Sequence, residues 1–206
     1  MYEQELKLTA PDQETLHAVP MWEGVQDLLV KPATGPLRFL ARYHDTPHNA
    51  LENYMCALRS RLEGDRYVAA LKMPGQIVGG ISSREEFECA VSGWIEETND
   101  IPAGEFREKG LVITGGESRL LTTVQVDMMR TIYDLKLNGT RIELVTDSGT
   151  VSAGNRHVDL LEVELELKEG ALEDIVSLGS LIRSRFDLIP STKTKYEIGM
   201  ELWKAA

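Results

Sequence analysis

Hydrophobic and polar residues alternate along many short segments of this chain, and the alternation predicts a protein built mainly from β-strands. Successive residues of a strand point to opposite faces of its sheet, so a period of two is typical of a strand with two different faces. Strands are expected over residues 2–9, 37–45, 54–63, 67–73, 84–91, 120–137, 141–145, 158–167 and 195–203. Helices are expected from the polar opening at 11–12 to about residue 30, over 93–100, and over 171–182.

Two local signals add detail to this pattern. Pro20 must interrupt or bound the first helix, because proline lacks the amide hydrogen that a helix interior needs. Asn138-Gly139 predicts a β-hairpin, because both residues tolerate a positive φ. Many antiparallel strands with only two or three helices predict an α+β, mainly β fold. We expect a closed antiparallel barrel, which leaves no strand edge unpaired.

Three of the predicted strands place charged residues on one face at a period of two. The rows are Glu3, Glu5 and Lys7; Arg59 and Arg61; and Glu162, Glu164 and Glu166. Each row taken alone also fits the solvated face of a half-buried strand. Rows of acid and base together favour a site that binds an anion through its basic residues and a divalent cation through its acidic ones. Inside a barrel, such rows would enclose water, metal and ligand.

Composition narrows the class of protein. The 206 residues are 42% hydrophobic, which is enough for one substantial core, and a single domain spanning residues 1–206 is expected. The chain carries 22 Lys and Arg against 33 Asp and Glu, a formal net charge of −11. That balance argues against binding of duplex nucleic acid or an anionic membrane but is compatible with a small polyanion in a locally positive cavity.

The expected location is the cytoplasm. No apolar run approaches the roughly 20 residues of a membrane span, and the N-terminus lacks the pattern of a signal peptide. Two cysteines, Cys56 and Cys89, leave a disulfide framework unnecessary. Pairing of two chains into a homodimer stays open.

Motifs along nearly the whole chain resemble those of the CYTH, or triphosphate tunnel metalloenzyme, family, and the pattern is most similar to bacterial inorganic triphosphatases. Glu3-Gln4-Glu5-Leu6-Lys7 is similar to an E-x-E-x-K signature, and Ala57-Leu58-Arg59-Ser60-Arg61 to an A-L-R-x-R strand. The match continues in order through Tyr43-His44-Asp45-Thr46-Pro47, Lys72, Gly79-Gly80, Arg84-Glu85-Glu86-Phe87-Glu88, Arg130, residues 142–147, Glu162-Val163-Glu164 and residues 194–199. E-x-E-x-K alone is weak evidence, but the ordered set is specific.

The resemblance implies a closed eight-stranded antiparallel barrel with a few flanking helices, in which basic side chains hold a triphosphate and acidic ones hold Mg²⁺ or Mn²⁺. The implied metal ligands are Glu3, Glu5, Glu86, Asp147, Glu162 and Glu164. The implied triphosphate ligands are Lys7, Arg59, Arg61, Lys72, Arg130 and Lys195, with Lys193 as the alternative to Lys195. Catalytic roles are expected for Glu3, Glu5, Lys7 and Lys72. Glu166 is expected to be solvated beyond the tunnel, and Leu6, Leu58 and Val163 to point away from it.

The resemblance implies hydrolysis of a triphosphate, and the expected substrate is inorganic triphosphate, cleaved to diphosphate and phosphate. Three alternatives are left open: a class IV adenylate cyclase, a thiamine triphosphatase, and a noncatalytic polyphosphate- or nucleotide-binding module. Two departures from the family pattern bear on the substrate. Ile198 stands where the final family motif often has arginine, and Asp127 and Met129 flank Arg130 on a strand where further basic residues are frequent.

Overall fold

The computed structural model describes residues 2–205 and contains a closed barrel of eight antiparallel strands. Around the barrel the strand order is β1-β9-β8-β7-β2-β3-β4-β6, and β6 pairs with β1 to close it. Two short strands, β5 and β10, lie beside β6 and β1. The strands are β1 (Tyr2–Thr9), β2 (Thr34–Asp45), β3 (Ala57–Glu63), β4 (Arg66–Lys72), β5 (Gln76–Val78), β6 (Ile81–Val91), β7 (Leu121–Leu137), β8 (Thr140–Ala153), β9 (Arg156–Glu169) and β10 (Ile189–Pro190). The expected eight-stranded barrel is confirmed.

Six α-helices flank or enter the barrel within the described residues. They are α1 (Gln13–Met21), α2 (Glu23–Gln26), α3 (Ala50–Asn53), α4 (Glu105–Ile113), α5 (Leu172–Arg185) and α6 (Lys195–Lys204). Pro20 lies in the last turn of α1, which ends one residue later, as expected of a bounding proline. The hairpin at Asn138-Gly139 is also confirmed, with φ of 52° and 93° at these two residues.

Two expected elements are wrong. The strand expected at 195–203 is the helix α6, which a capping box begins: the Thr194 side chain accepts from the Glu197 amide at 3.2 Å, and the Glu197 carboxylate accepts from the Thr194 amide at 2.7 Å. The helix expected at 93–100 is reduced to a single 3-10 turn, Thr98–Asp100. Backbone amides 96 and 97 donate there to the Asp100 carboxylate instead of continuing a helix.

Apolar residues of the barrel pack in three separate clusters. On one outer side, α1 and α5 cover the outward face of β1 and β9, where Leu6 and Val163 are buried. On another, α4 and its flanking loops cover β3 and β4, where Leu58 is buried. These three side chains therefore point away from the barrel interior, as expected. None of the helices in the described part of the chain is long and apolar enough to cross a membrane.

The third cluster lies inside the barrel and involves α6. Tyr196 and Met200 of this helix pack on inward-facing residues of β2 and β7 such as Tyr43, and the Tyr43 and Tyr196 rings are 5.3 Å apart. A Cβ built on Gly199 would lie 2.1 Å from the nearest Val124 methyl, so only glycine fits at this close approach. One part of the interior is thus a packed apolar core, and Lys195 begins α6 at its border with the polar remainder.

Candidate active site

A polar cavity of about 660 Å³ occupies the rest of the barrel interior. It is lined by inward-facing side chains of the strands, because residues of the same parity on each strand face the same side of the wall. Its charged lining residues are Glu3, Glu5, Lys7, Arg59, Arg61, Lys72, Arg84, Glu86, Glu88, Arg130, Glu143, Glu164, Glu166, Lys168 and Lys195. Ten of the twelve metal and triphosphate ligands implied by the sequence are in this set. The other two, Asp147 and Glu162, are buried directly behind it.

Three carboxylates meet at the β8–β9 wall, and we call Asp147, Glu162 and Glu164 the acid triad. Asp147 and Glu162 are cross-strand partners, and Glu164 follows on the same face of β9. One oxygen from each of the three lies within 4.8 Å of the others, and all three residues are buried. The hairpin register therefore brings together acids that are far apart in sequence.

The Lys195 ammonium lies among these carboxylates. Its Nζ is 3.0 Å from an Asp147 oxygen and 2.7 Å from a Glu164 oxygen, and it also contacts Glu162. Lys7 contacts Glu164 from β1, and its Nζ is 3.0 Å from Glu5. These contacts place Lys195 and Lys7 in the same electrostatic network.

Arg130 reaches the acid triad from β7, the strand next to β8. Its guanidinium donates twice to Asp147, at 2.7 and 2.6 Å, and once to Glu164 at 2.9 Å. Such a two-pronged contact is among the stronger charge-assisted hydrogen bonds. Arg130 is therefore not a solvated surface charge.

The pKa values of the triad carboxylates differ. Burial would raise all three, but Lys195, Lys7 and Arg130 together lower the pKa of Glu164 well below its usual value. The pKa of Asp147 is lowered too, because Arg130 and Lys195 outweigh burial. The pKa of Glu162 is raised to about 7, because burial prevails over the attraction of Lys195 and Lys7. The carboxylates of Glu164 and Asp147 are therefore held ionised by the surrounding lysine and arginine side chains.

A second charged cluster lies where β6 closes the barrel against β1. Lys72 Nζ is 2.9 Å from both oxygens of Glu3 and 2.6 Å from Glu86. Arg84 donates to Glu3 at 3.0 Å and to Glu5 at 3.2 Å. Burial would raise the pKa of Glu86, but Lys72 and Arg59 lower it to about 2, so this carboxylate stays ionised.

The two arginines of β3, Arg59 and Arg61, present guanidinium groups to the cavity, and Arg61 also pairs with Glu63. Arg59 lies 3.8 Å from Glu86, and its buried Nε has no hydrogen-bond partner among the described residues. Burial, with the nearby charges of Arg59 and Arg130, lowers the pKa of Arg61 to about 10. Arginines that repel one another in this way are stabilised by an anion between them, and the guanidinium fork suits phosphate oxygens.

Some sequence expectations differ from the observed geometry. Glu166 was expected beyond the tunnel, but it lines the cavity, where its side chain is 26% exposed and lies 2.8 Å from Lys168. Lys193, the alternative to Lys195, is exposed and pairs with Glu201 at 2.6 Å. Arg84 was not among the ligands implied by the sequence, although it stands in the same alternating row as Glu86, a signal that could have found it.

The donors of the acid triad fit a hard divalent cation. All are carboxylate oxygens, which Mg²⁺ and Mn²⁺ prefer, and the described residues place no thiol or imidazole among them. The Lys195 ammonium already acts as a cation at this position. The chemistry of the cavity is thus that of a closed β-barrel whose interior offers oxygen ligands to a metal and guanidinium groups to an anion.

A family model described as the CYTH domain matches residues 1–185. The chain therefore belongs to the CYTH family. A curated relative, the inorganic triphosphatase of Haemophilus influenzae, is 27% identical over 157 residues. That match covers 76% of this chain and 44% of the relative, so the chain spans less than half the length of that protein.

Solved structures share the fold at low sequence identity. One, from Hippeastrum, is described as a candidate adenylyl cyclase with a dominant triphosphatase activity; it has a TM-score of 0.70 and 18% identity, over 97% of this chain and 95% of that one. Another, a candidate adenylate cyclase from Bacillus halodurans, has a TM-score of 0.55 and 16% identity, over 94% and 95% of the two chains. These likenesses establish a common barrel architecture.

Proposed function

We propose that this protein is a divalent-metal-dependent triphosphatase that cleaves inorganic triphosphate to diphosphate and phosphate in the barrel cavity. The observation that carries the proposal is that the barrel interior holds both an acid triad within 4.8 Å and the guanidinium groups of Arg59 and Arg61, with the buried Nε of Arg59 lacking a hydrogen-bond partner among the described residues. The name of the Haemophilus influenzae relative favours inorganic triphosphate as the substrate. The proposed setting is the cytoplasm, with Mg²⁺ or Mn²⁺ as the metal.

The charge balance of the cavity supports joint binding of a metal and a triphosphate. Eight basic side chains line it against seven carboxylates, and the acid triad adds two more carboxylates behind them. Triphosphate alone would therefore meet strong repulsion from the acids, and a metal alone from the bases. Bound together, each ligand neutralises the side chains that oppose the other.

The basic residues bind and orient the triphosphate. Arg59, Arg61 and Arg130 present forked donors to non-bridging oxygens, whereas Lys7 and Lys72 supply point charges. Holding the phosphate chain in one geometry lowers the entropic part of the barrier and aligns the terminal phosphorus with an attacking water.

The carboxylates hold the metal. The acid triad is one proposed set of ligands. Glu3, Glu5 and Glu86 are a second set, at the place where β6 closes the barrel against β1. A divalent metal, when bound there, neutralises charge on phosphoryl oxygens and favours deprotonation of water. The chain's own contribution is to surround these carboxylates with lysines and arginines, which lower the pKa of Glu164, Asp147 and Glu86 and so keep these three ionised.

The test is phosphate release from inorganic triphosphate with Mg²⁺ or Mn²⁺, and its suppression by excess EDTA. Glu5→Gln removes one anionic oxygen at nearly constant volume and is expected to reduce metal-dependent turnover sharply. Arg59→Ala is expected mainly to impair positioning of the substrate. Lys193→Gln, which removes an exposed charge outside the cavity, is the control for both variants.

The same assay separates the alternatives. ATP and thiamine triphosphate are supplied in parallel, and cyclic AMP is measured beside phosphate. Faster turnover of ATP or thiamine triphosphate would identify that compound, instead of inorganic triphosphate, as the preferred substrate. A rise in melting temperature with triphosphate but no product with any metal would reduce the protein to a binding module.

A further inference from the structure

The Lys195 ammonium occupies the point on which the acid triad converges. Its three N–H donors face three carboxylates, with Nζ at 3.0 Å from Asp147, at 2.7 Å from Glu164 and in contact with Glu162. Lys195 is itself buried, in the first turn of α6. The structure thus has a cation at the centre of the acid triad.

The members of the triad differ in how far they depend on Lys195. Arg130 also pairs with Asp147, and Arg130 and Lys7 also pair with Glu164. Within the described residues, the only ion pair of Glu162 is with Lys195. Removal of the ammonium therefore leaves three buried carboxylates with too little positive charge, and Glu162 with no ion-pair partner.

We propose that Lys195 is a built-in counter-ion that a divalent metal must displace from the acid triad. The ammonium and the metal need the same oxygen atoms, and their charges repel at this distance. Lys195 also lines the cavity, and its flexible stem can turn the displaced ammonium toward an anion without movement of α6. Metal binding then releases a phosphate-binding group, and affinity for each ligand rises in the presence of the other.

This inference rests on the proposed metal-dependent function, and binding of Mn²⁺ alone tests it. Free Mn²⁺ is measured by electron paramagnetic resonance against the wild-type protein, Lys195→Gln and Lys193→Gln. Lys195→Gln should bind Mn²⁺ at least about tenfold more tightly, or about 1.4 kcal/mol, because the competing cation is gone. Lys193→Gln removes the same formal charge two residues away, outside the triad, and should leave the Mn²⁺ affinity unchanged. Equal or weaker binding by Lys195→Gln overturns the proposal.

A measurement on the wild-type protein covers the case in which Lys195→Gln fails to fold. The ¹⁵Nζ resonance of Lys195 is followed by NMR during titration with Mg²⁺, which is diamagnetic, and is assigned with a Lys195→Arg variant. Displacement predicts a large shift of this resonance at saturating Mg²⁺, with little shift for exposed Lys193. An unmoved Lys195 resonance in Mg²⁺-saturated protein overturns the proposal.

The proposed function and the role of Lys195 can be refuted separately. A wild-type protein that binds neither metal and releases no phosphate from triphosphate overturns the proposed function together with this inference. Metal-dependent release of phosphate, with no gain in Mn²⁺ affinity in Lys195→Gln, overturns the inference alone. Mn²⁺ affinity unchanged by Glu162→Gln also overturns it, because the metal then lies outside the acid triad.

Discussion

The position of α6 inside the barrel leads to a sharp prediction for Gly199→Ala. The added methyl group would lie 2.1 and 2.6 Å from the two methyl groups of Val124 and 2.9 Å from its Cβ. Val124 is fully buried, and its β-branched side chain has little freedom to rotate away. Either α6 or β7 must therefore shift.

The free-energy change can be worked out from this geometry. Overpacking costs about 1–3 kcal/mol, and an approach as close as 2.1 Å places this site at about 2–3 kcal/mol. Alanine gains about 1 kcal/mol over glycine in a helix interior, so Gly199→Ala should lose about 1–2 kcal/mol of unfolding free energy. Val124→Ala should lose about 2 kcal/mol through its two missing methyl groups. In the double variant the new methyl fills the space that Val124 vacates. Its loss should be about 1 kcal/mol, which gives a favourable coupling of about 2–3 kcal/mol.

The assay is urea-induced unfolding of the four proteins, with phosphate release measured in parallel. Gly199 lies one helical turn after Lys195, so a shift of α6 should also misplace the ammonium. Turnover should fall in Gly199→Ala, by as much as about a hundredfold for a shift near 1 Å, and recover in the double variant. A double variant less stable than either single one, or a Gly199→Ala protein more stable than wild type, would refute the described packing of α6.

Three further outcomes are expected. Burial lowers the pKa of His44 to about 4, so as the pH is lowered the unfolded chain is protonated before the folded one and the free energy of unfolding decreases. When the pH is lowered from about 7 to about 5, wild type should lose about 2 kcal/mol more of this free energy than His44→Gln, as measured by urea unfolding. The Asp45 carboxylate accepts three backbone amides at 2.7–2.9 Å, from Thr46 and from Leu51 and Glu52 in the first turn of α3, so Asp45→Ala should lose about 3 kcal/mol, and Asp45→Asn less, by the same measurement. In steady-state kinetics, raising Mg²⁺ from a limiting to an excess concentration should partly restore turnover in Glu5→Gln but not in Arg59→Ala. The opposite pattern would make Arg59 the residue needed for metal binding and Glu5 the one needed for substrate positioning.

The barrel could be predicted from the sequence because period-two alternation fixes which side chains share a face. Glu3, Glu5 and Lys7 face one way whatever the neighbouring strands are, so the inward row on β1 follows from local pattern alone. The local pattern does not predict which residues of other strands lie beside each charged side chain. Asp147 meets Glu162 only through the register of the β8–β9 hairpin, which is set by the whole length of both strands.

Elements whose local pattern conflicts with their tertiary context were harder to predict. Residues 195–198 alternate as a strand does, but the buried positions of α6 follow a helical spacing, with Tyr196 and Met200 four residues apart. The Thr194-x-x-Glu197 capping box was a readable helix signal. Strand β8 was expected to end at 145 but continues to Ala153. Gly149 resembles a turn residue, yet the Asp127 carbonyl approaches so closely that no side chain would fit there.

The helical form of α6 matters for the site as well as for the fold. A barrel strand adds its side chains to the wall, at a depth fixed by register. A helix that enters the interior can place its first residue away from the wall, and Lys195 reaches carboxylates on both β8 and β9 in this way. Because the ammonium ends a flexible stem that begins away from the wall, it can leave the acid triad by side-chain rotation alone. The proposed exchange of Lys195 for a metal therefore needs no movement of the barrel strands.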